Sequence, residues 1–345
     1  MSRPIVWRSA KGYLALRLDR RTLAVTAVLG LGLVASAFLS LCLGSHPTSP
    51  TAVLEALLFP AHSDIALIVH EIRLPRVLLA VMVGASLAVA GLILQGLVRN
   101  PLASPDVIGI TGGASVAAVL FLTLGGAALG ESWLPVVAMG GAFLVALGII
   151  ALAWQRGVTP ARLVLIGIGI AAALGAITTL TIVLSPDTTA MRAYVWLTGS
   201  LYAAQWREVV GMLPWMAVCL PLALSQARQL DVLALGDDLA TGLGSAVQGS
   251  RLVLLLLSVA LAGSAVAFAG GLSFIGLIAP HIARRLVARG FTGLVSVTAL
   301  IGALILLYAD LLGRIAFTPR DLPAGIFVAG IGAPLFVYLL YRWRH

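Results

Sequence analysis

Ile72-Arg73-Leu74-Pro75-Arg76 opens a stretch that runs on through 21 apolar or small residues interrupted by Gln95. It closes on Arg99-Asn100-Pro101-Leu102-Ala103-Ser104-Pro105-Asp106 and restarts at Gly109, Gly112 and Gly113. A run of this length matches the ~20 residues that carry a helix across ~30 Å of hydrocarbon. Arginine and proline at both ends punctuate it, because proline removes a backbone donor and stops a helix. The stretch therefore reads as a membrane crossing.

Working outward, further apolar runs fall at about 22–43, 107–124, 133–154, 163–184, 209–224, 252–269, 272–282, 291–312 and 324–341. With 77–98 they make ten expected crossings and an all-α, polytopic membrane fold in a single transmembrane domain, 1–345. Residues 252–282 leave nine or eleven open, because Gly270-Gly271 splits that run and Pro280 bends its second piece. The chain is 60% hydrophobic and 10% charged, with a mean hydropathy of +1.07. That lies far from the roughly one-quarter charged balance of soluble domains. The first 21 residues resemble the basic region of a signal peptide, but the apolar run behind them is too long for a signal core. An uncleaved first helix after a cytoplasmic segment 1–21 is expected.

Basic residues flanking membrane helices favour the cytoplasm. With the N-terminus inside and ten crossings, 16 of the 22 basic residues fall on the inner side, leaving Arg73, Arg76, Arg192, Arg207, Arg314 and Arg320 outside. This asymmetry supports two cytoplasmic termini and accounts for the +9 net charge without a nucleic-acid partner. Lipid is the expected surrounding.

Small residues let membrane helices approach closely. Gly167, Ala171 and Gly175 share one face, Gly325, Ala329 and Ala333 another, and Gly84 with Ala88 a third, all expected as helix contacts or pathway walls. Residues 85–102 and 265–282 echo one another weakly, as duplicated transporter halves do.

Several chemistries are excluded or disfavoured. Lys11 is the only lysine and sits between Ala10 and Gly12, so there is no Walker-type phosphate loop and ATP hydrolysis would need a partner. The histidines His46, His62, His70, His281 and His345 and the cysteines Cys42 and Cys219 show no metal-ligand spacing; no catalytic residue, metal or cofactor is expected. Acidic residues lie in loops or near helix ends, which disfavours an ion-coupled secondary transporter.

The loop 225–250 contains Asp231-Val232-Leu233-Ala234-Leu235-Gly236-Asp237-Asp238-Leu239-Ala240-Thr241-Gly242-Leu243-Gly244. Asp231 and Asp237 can each cap a short helix, while Gly236 and Gly244 can close them. Val232, Leu235, Leu239 and Leu243 would then form an apolar strip at the membrane face, resting on headgroups or on a partner. A further motif is Gly271-Leu272-Ser273-Phe274-Ile275-Gly276-Leu277-Ile278-Ala279-Pro280-His281-Ile282-Ala283-Arg284.

In this order, across residues 70–340, the motifs resemble the FecCD-type permease subunit of ABC importers for ferric siderophores, haem and cobalamin. The resemblance implies a dimer of permeases, identical or paralogous, around a central path, with two ATPase subunits and a periplasmic binding protein. It implies that Leu233, Leu235, Gly236, Asp237, Asp238, Ala240, Leu243 and Gly244 couple to the ATPase, and that Arg73, Arg76 and Arg314 receive the binding protein. On that view Arg76→Glu abolishes uptake in an intact complex. Asn100, Pro101 and Leu102 match one inner gate element. Thr159-Pro160-Ala161 stands where the family often has small hydroxyl residues, and Gly167 and Gly325 line the path. Pro280, His281 and Arg284 are expected to be structural beside the ATPase face, with His281 bonded to nearby backbone. Gln95 and Tyr308 should hydrogen-bond between helices. Residues 187–206 and Leu235-Gly236-Asp237-Asp238 look most like ferric-siderophore permeases, catecholate ones in particular, with haem or cobalamin as the alternative cargo.

Overall fold

A computed structural model describes residues 5–8, 15–44, 47–155, 157–287, 290–318 and 320–342. Arg3, Lys11, Arg156, Arg289 and Arg344, assigned to the inner side, lie outside the described residues, as do His46 and His345. A short antiparallel hairpin, β1 (Ile5–Arg8) and β2 (Ala15–Leu18), precedes the helices and pairs Ile5 with Leu18. The sequence reading did not anticipate it.

The helices are α1 (Arg20–Cys42), α2 (Pro50–Leu58), α3 (Leu74–Val98), α4 (Ile110–Leu120), α5 (Gly126–Leu129), α6 (Leu134–Ala153), α7 (Pro160–Val183) and α8 (Asp187–Thr198). They continue with α9 (Trp206–Ser225), α10 (Ala227–Ala234), α11 (Asp237–Gly242), α12 (Val247–Ala269), α13 (Ile275–Leu286), α14 (Phe291–Ile315) and α15 (Ala324–Arg342). Each of the ten expected runs coincides with one of them. Seven helices among the described residues are long and apolar enough to cross a membrane. Ile110–Gly125 and Ala324–Tyr338 are shorter apolar helices.

The α13 helix has 12 residues, only ~18 Å at 1.5 Å per residue, so it cannot cross alone. Residues 270–274 complete its path as irregular backbone. Such backbone is tolerated at membrane depth only where protein satisfies it, and here α8 does. Gly271 N donates to Trp196 O at 3.3 Å and Ser200 N to Ala269 O at 2.9 Å. Gly270 has φ +74°, and a Cβ there would overlap the Trp196 carbonyl. The two segments of the sequence echo differ locally here: residues 85–98 continue one helix to Val98, whereas 265–282 is interrupted between α12 and α13.

The centre of the molecule is α3. It is apolar all round, as a fully enclosed helix must be, and the most apolar window of its span is 89% buried. It packs on α14, α12 and α13. At two crossings only glycine fits: a Cβ on Gly84 would strike Gly302, and one on Gly91 would strike the Gly276 carbonyl. The expected Gly84/Ala88 contact face is thus real and belongs to α14. Gly325 packs against the Thr198 carbonyl. By contrast, the window of α7 is 17% buried; Gly167 is buried, but Gly175 faces open space.

Candidate functional site

Two polar clusters occupy opposite ends of α3. At its N-terminal end, Arg76 is 8% exposed and grips two carboxylates. Its Nη2 lies 2.8 Å from Asp310 Oδ1 and its Nη1 2.6 Å from Asp321 Oδ2. Asp310 is fully buried in α14 and is also approached by Arg314 Nε at 3.2 Å, an ion pair without hydrogen-bond geometry. Arg314 Nη2 donates to Ser40 Oγ, and Arg73 Nη1 donates to Leu41 O at 2.6 Å and Thr48 Oγ1 at 2.8 Å. The last carbonyls of a helix have no intrahelical donors and carry partial negative charge. Arg73 and Arg314 therefore cap α1.

Arg73, Arg76 and Arg314, which the resemblance assigns to the binding protein, are therefore also bound up within the fold. All three are at most 8% exposed and engaged within the chain. The three nonetheless help line an outer depression of about 640 Å3 that also includes Glu71, Arg320 and Asp321. Arg320 is exposed at its edge. Sequence reasoning did not single out Arg320 beside the other arginines, although its place in the α14–α15 connection was a usable signal. The four-residue spacing of Asp310 and Arg314 likewise signalled a pair on one helix face.

At the other end, α3 stops at Arg99, which adopts the left-handed conformation at φ 53°. Asn100 makes a local turn, its Oδ1 accepting from Leu102 N at 2.9 Å; Pro101 and Leu102 are half-buried. Thr159 precedes α7 without a side-chain capping bond, Pro160 takes the first helical position, and Ala161 is exposed.

The α10–α11 pair packs beside α3, α14 and α12 at this end. Gly236, at φ +111°, separates the two helices, and Gly244, at φ +80°, follows the second, as the sequence predicts. Leu233 and Ala240 are buried, whereas Leu235, Leu239 and Leu243 are exposed beside Asp238. The caps differ from expectation. Asp231 lies inside α10, and its Oδ1 accepts from Phe291 N at 3.1 Å, so it caps α14 instead. Partial desolvation raises the pKa of the Asp231 carboxyl from its ordinary value, opposed by that backbone bond. Asp237 does not cap α11; its Oδ1 accepts from Arg99 Nη2 at 2.9 Å and from Arg251 Nη2 at 2.8 Å.

Gln95 and Tyr308 bond between elements as expected. Gln95 Nε2 donates to Gly276 O at 3.2 Å, and Tyr308 pairs with Ser36 at 2.7 Å. Arg284 turns inward to Gln95 Oε1 at 2.5 Å, and Pro280 is buried inside α13. His281 departs from expectation, because its buried Nε2 has no hydrogen-bond partner among the described residues.

An exposed apolar strip on paired helices thus stands at one end of α3, and a depression lined by Arg73, Arg76, Arg314, Arg320, Glu71 and Asp321 at the other. The model of the FecCD transport family matches residues 32–342. The chain belongs to that family. It is 50% identical over 345 residues to the achromobactin transport system permease protein CbrC of Dickeya dadantii (strain 3937), covering 100% of this chain and 98% of that one. It is 38% identical over 324 residues to the ferric enterobactin transport system permease protein FepG of Escherichia coli (strain K12), covering 94% and 97%. A solved metal-chelate-type ABC transporter in an inward-facing conformation superposes with a TM-score of 0.83 at 29% identity, covering 93% of this chain and 99% of that one. As a FecCD member the chain is a multi-pass inner-membrane permease subunit of an ABC iron-siderophore importer. ATP is hydrolysed by a separate subunit, and a substrate-binding partner takes part. The ion-coupled reading is thereby set aside.

Proposed function

We propose that this permease carries a ferric siderophore of the achromobactin kind inward, as one half of a permease dimer served by two ATPase subunits. The observation that carries the cargo is the 50% identity to an achromobactin permease along the entire chain. The catecholate expectation drawn from residues 187–206 and 235–238 has the 38% identity to the ferric enterobactin permease in its support and is the second reading. In the first, the binding protein meets the outer depression through Arg320 and the buried arginine cluster behind it, and the ATPase grips Leu235, Leu239 and Leu243. Asn100-Pro101-Leu102 and Thr159-Pro160-Ala161 form the inner constriction. The small-residue faces of α7 and α15, with Gly167 and Gly325, border the path. ATP binding shifts the permease between outward and inward states to the extent that the partner favours one of them.

The test is uptake of radioactive iron by cells lacking this gene, with and without the restored chain, supplied as ferric achromobactin, ferric enterobactin or haem. Restoration by the first alone, dependent on an active ATPase, is the expected result. Restoration by ferric enterobactin or haem alone would replace the cargo assigned here.

A further inference from the structure

Arg99 ends the helix that leads into Asn100-Pro101-Leu102, and Val158 immediately precedes Thr159-Pro160-Ala161. One carboxylate holds the first directly and the second through Arg251. Arg99 Nη2 reaches Asp237 Oδ1 at 2.9 Å. Arg251 Nη2 reaches the same oxygen at 2.8 Å, while its Nη1 donates to the Val158 carbonyl at 2.5 Å. Gln248, one turn earlier on α12, accepts from Val158 N at 3.0 Å. Arg251 is 3% exposed, its Nε has no hydrogen-bond partner, and among the described residues Asp237 is the only carboxylate at ion-pair distance from it. A buried cation with a single carboxylate partner is costly to separate from it. Gly236 keeps the approach open, since a Cβ there would lie 3.3 Å from Arg99 Nη1.

We propose that Asp237 is a positioning residue that fastens the α10–α11 pair to both segments of the inner constriction, through Arg99 on one side and Arg251 with the Val158 carbonyl on the other. A displacement imposed on α11 by the ATPase is then delivered to residues 99–102 and 157–161 together. The exposed leucines make the partner contact, and Asp237 transmits it. This rests on the functional reading above, which makes α10–α11 the ATPase contact.

The test compares wild type, Asp237→Asn and Asp237→Glu permease, each assembled with its ATPase in proteoliposomes and supplied with the substrate-binding protein. Three readouts are taken: ATPase retained on purification, ATP hydrolysis, and uptake of ferric achromobactin. Asp237→Asn should retain the ATPase and its hydrolysis while uptake falls about tenfold, a typical size for a coupling between sites. Asp237→Glu, which keeps the charge, should recover most of the uptake. Hydrogen exchange gives a readout independent of cargo: nucleotide should alter exchange at residues 99–102 and 157–161 in wild type and not in Asp237→Asn. Were Asp237→Asn to accumulate poorly, Asp237→Asn/Arg251→Met, which also removes the unpaired cation, takes its place with the same expectations. Loss of bound ATPase, a parallel fall of hydrolysis and uptake, an unchanged exchange response, or failure of both variants to accumulate would each overturn the proposal. Wild-type uptake failing while the exchange response is present would count against the cargo and leave the transmission supported.

Discussion

Arg76 shows how much a side chain's surroundings decide its role. A surface arginine changed to glutamate would alter recognition and leave the fold alone. Arg76 instead balances Asp310, which is fully buried, and removing one partner of a buried pair costs about 3–5 kcal/mol. Arg76→Glu would also set three carboxylates against one another. We therefore expect it to lower the amount of folded permease, measured by fluorescence-detected size exclusion, in place of the intact but inactive complex that the motif alone suggests. Arg320→Glu, at the exposed rim, should leave that profile unchanged and weaken capture of the binding protein in a pull-down. Normal accumulation of Arg76→Glu would show that Asp310 does not depend on it. The motif made Arg76 visible as a special residue. Its partners were not visible, since Asp310 and Asp321 lie 234 and 245 positions away.

The crossings were legible as elements because hydrocarbon imposes a length and a composition on each helix. Both limits of α3 and of α6 fall within a few residues of the apolar runs. The α2 and α8 helices were missed because they are short, carry Glu55 or Asp187 and Arg192, and so read as polar connections. The break at Gly270 was read correctly as a split; its support by α8 was not, since it depends on backbone bonds to residues some 70 positions earlier. Close crossings give a direct test. Gly91→Ala places a methyl group on the Gly276 carbonyl and should lower the melting temperature of the purified permease. Gly30→Ala has nothing within 4 Å and should change stability by less than ~0.5 kcal/mol, as surface substitutions do. Equal melting temperatures for the two variants would mean that α3 and α13 separate freely. On α11, Leu239→Asp alters an exposed side chain; the permease should fold normally and lose its ATPase on co-purification, and retention would remove the leucine strip as the contact.

For the molecule as a whole, the uneven burial of its helices indicates what surrounds it. The α3 span is enclosed, whereas α7 presents Gly169 and Gly175 to open space, and small residues on an exposed membrane helix allow close approach of another helix. Gly175→Cys, in a background lacking Cys42 and Cys219, should form a disulfide between two copies of this chain if the dimer is symmetric. A cross-link only to a second, paralogous permease would show a mixed dimer, and no cross-link to either would place α7 against lipid. The sequence exposes this ambiguity without resolving it, because the same small-residue pattern serves lipid-facing, path-lining and partner-facing helices alike.

The burial of Arg73, Arg76 and Arg314 has one more consequence, for ionic strength. Mobile ions screen exposed charges beyond ~10 Å at 0.1 M salt, but reach buried pairs poorly. Raising salt should therefore slow encounter with the binding protein through Arg320 while the cluster behind it holds α1 in place. The outer face thus separates into a part that salt can tune and a part it cannot, so a transporter working in a medium of changing salinity would lose speed of capture before it lost its shape.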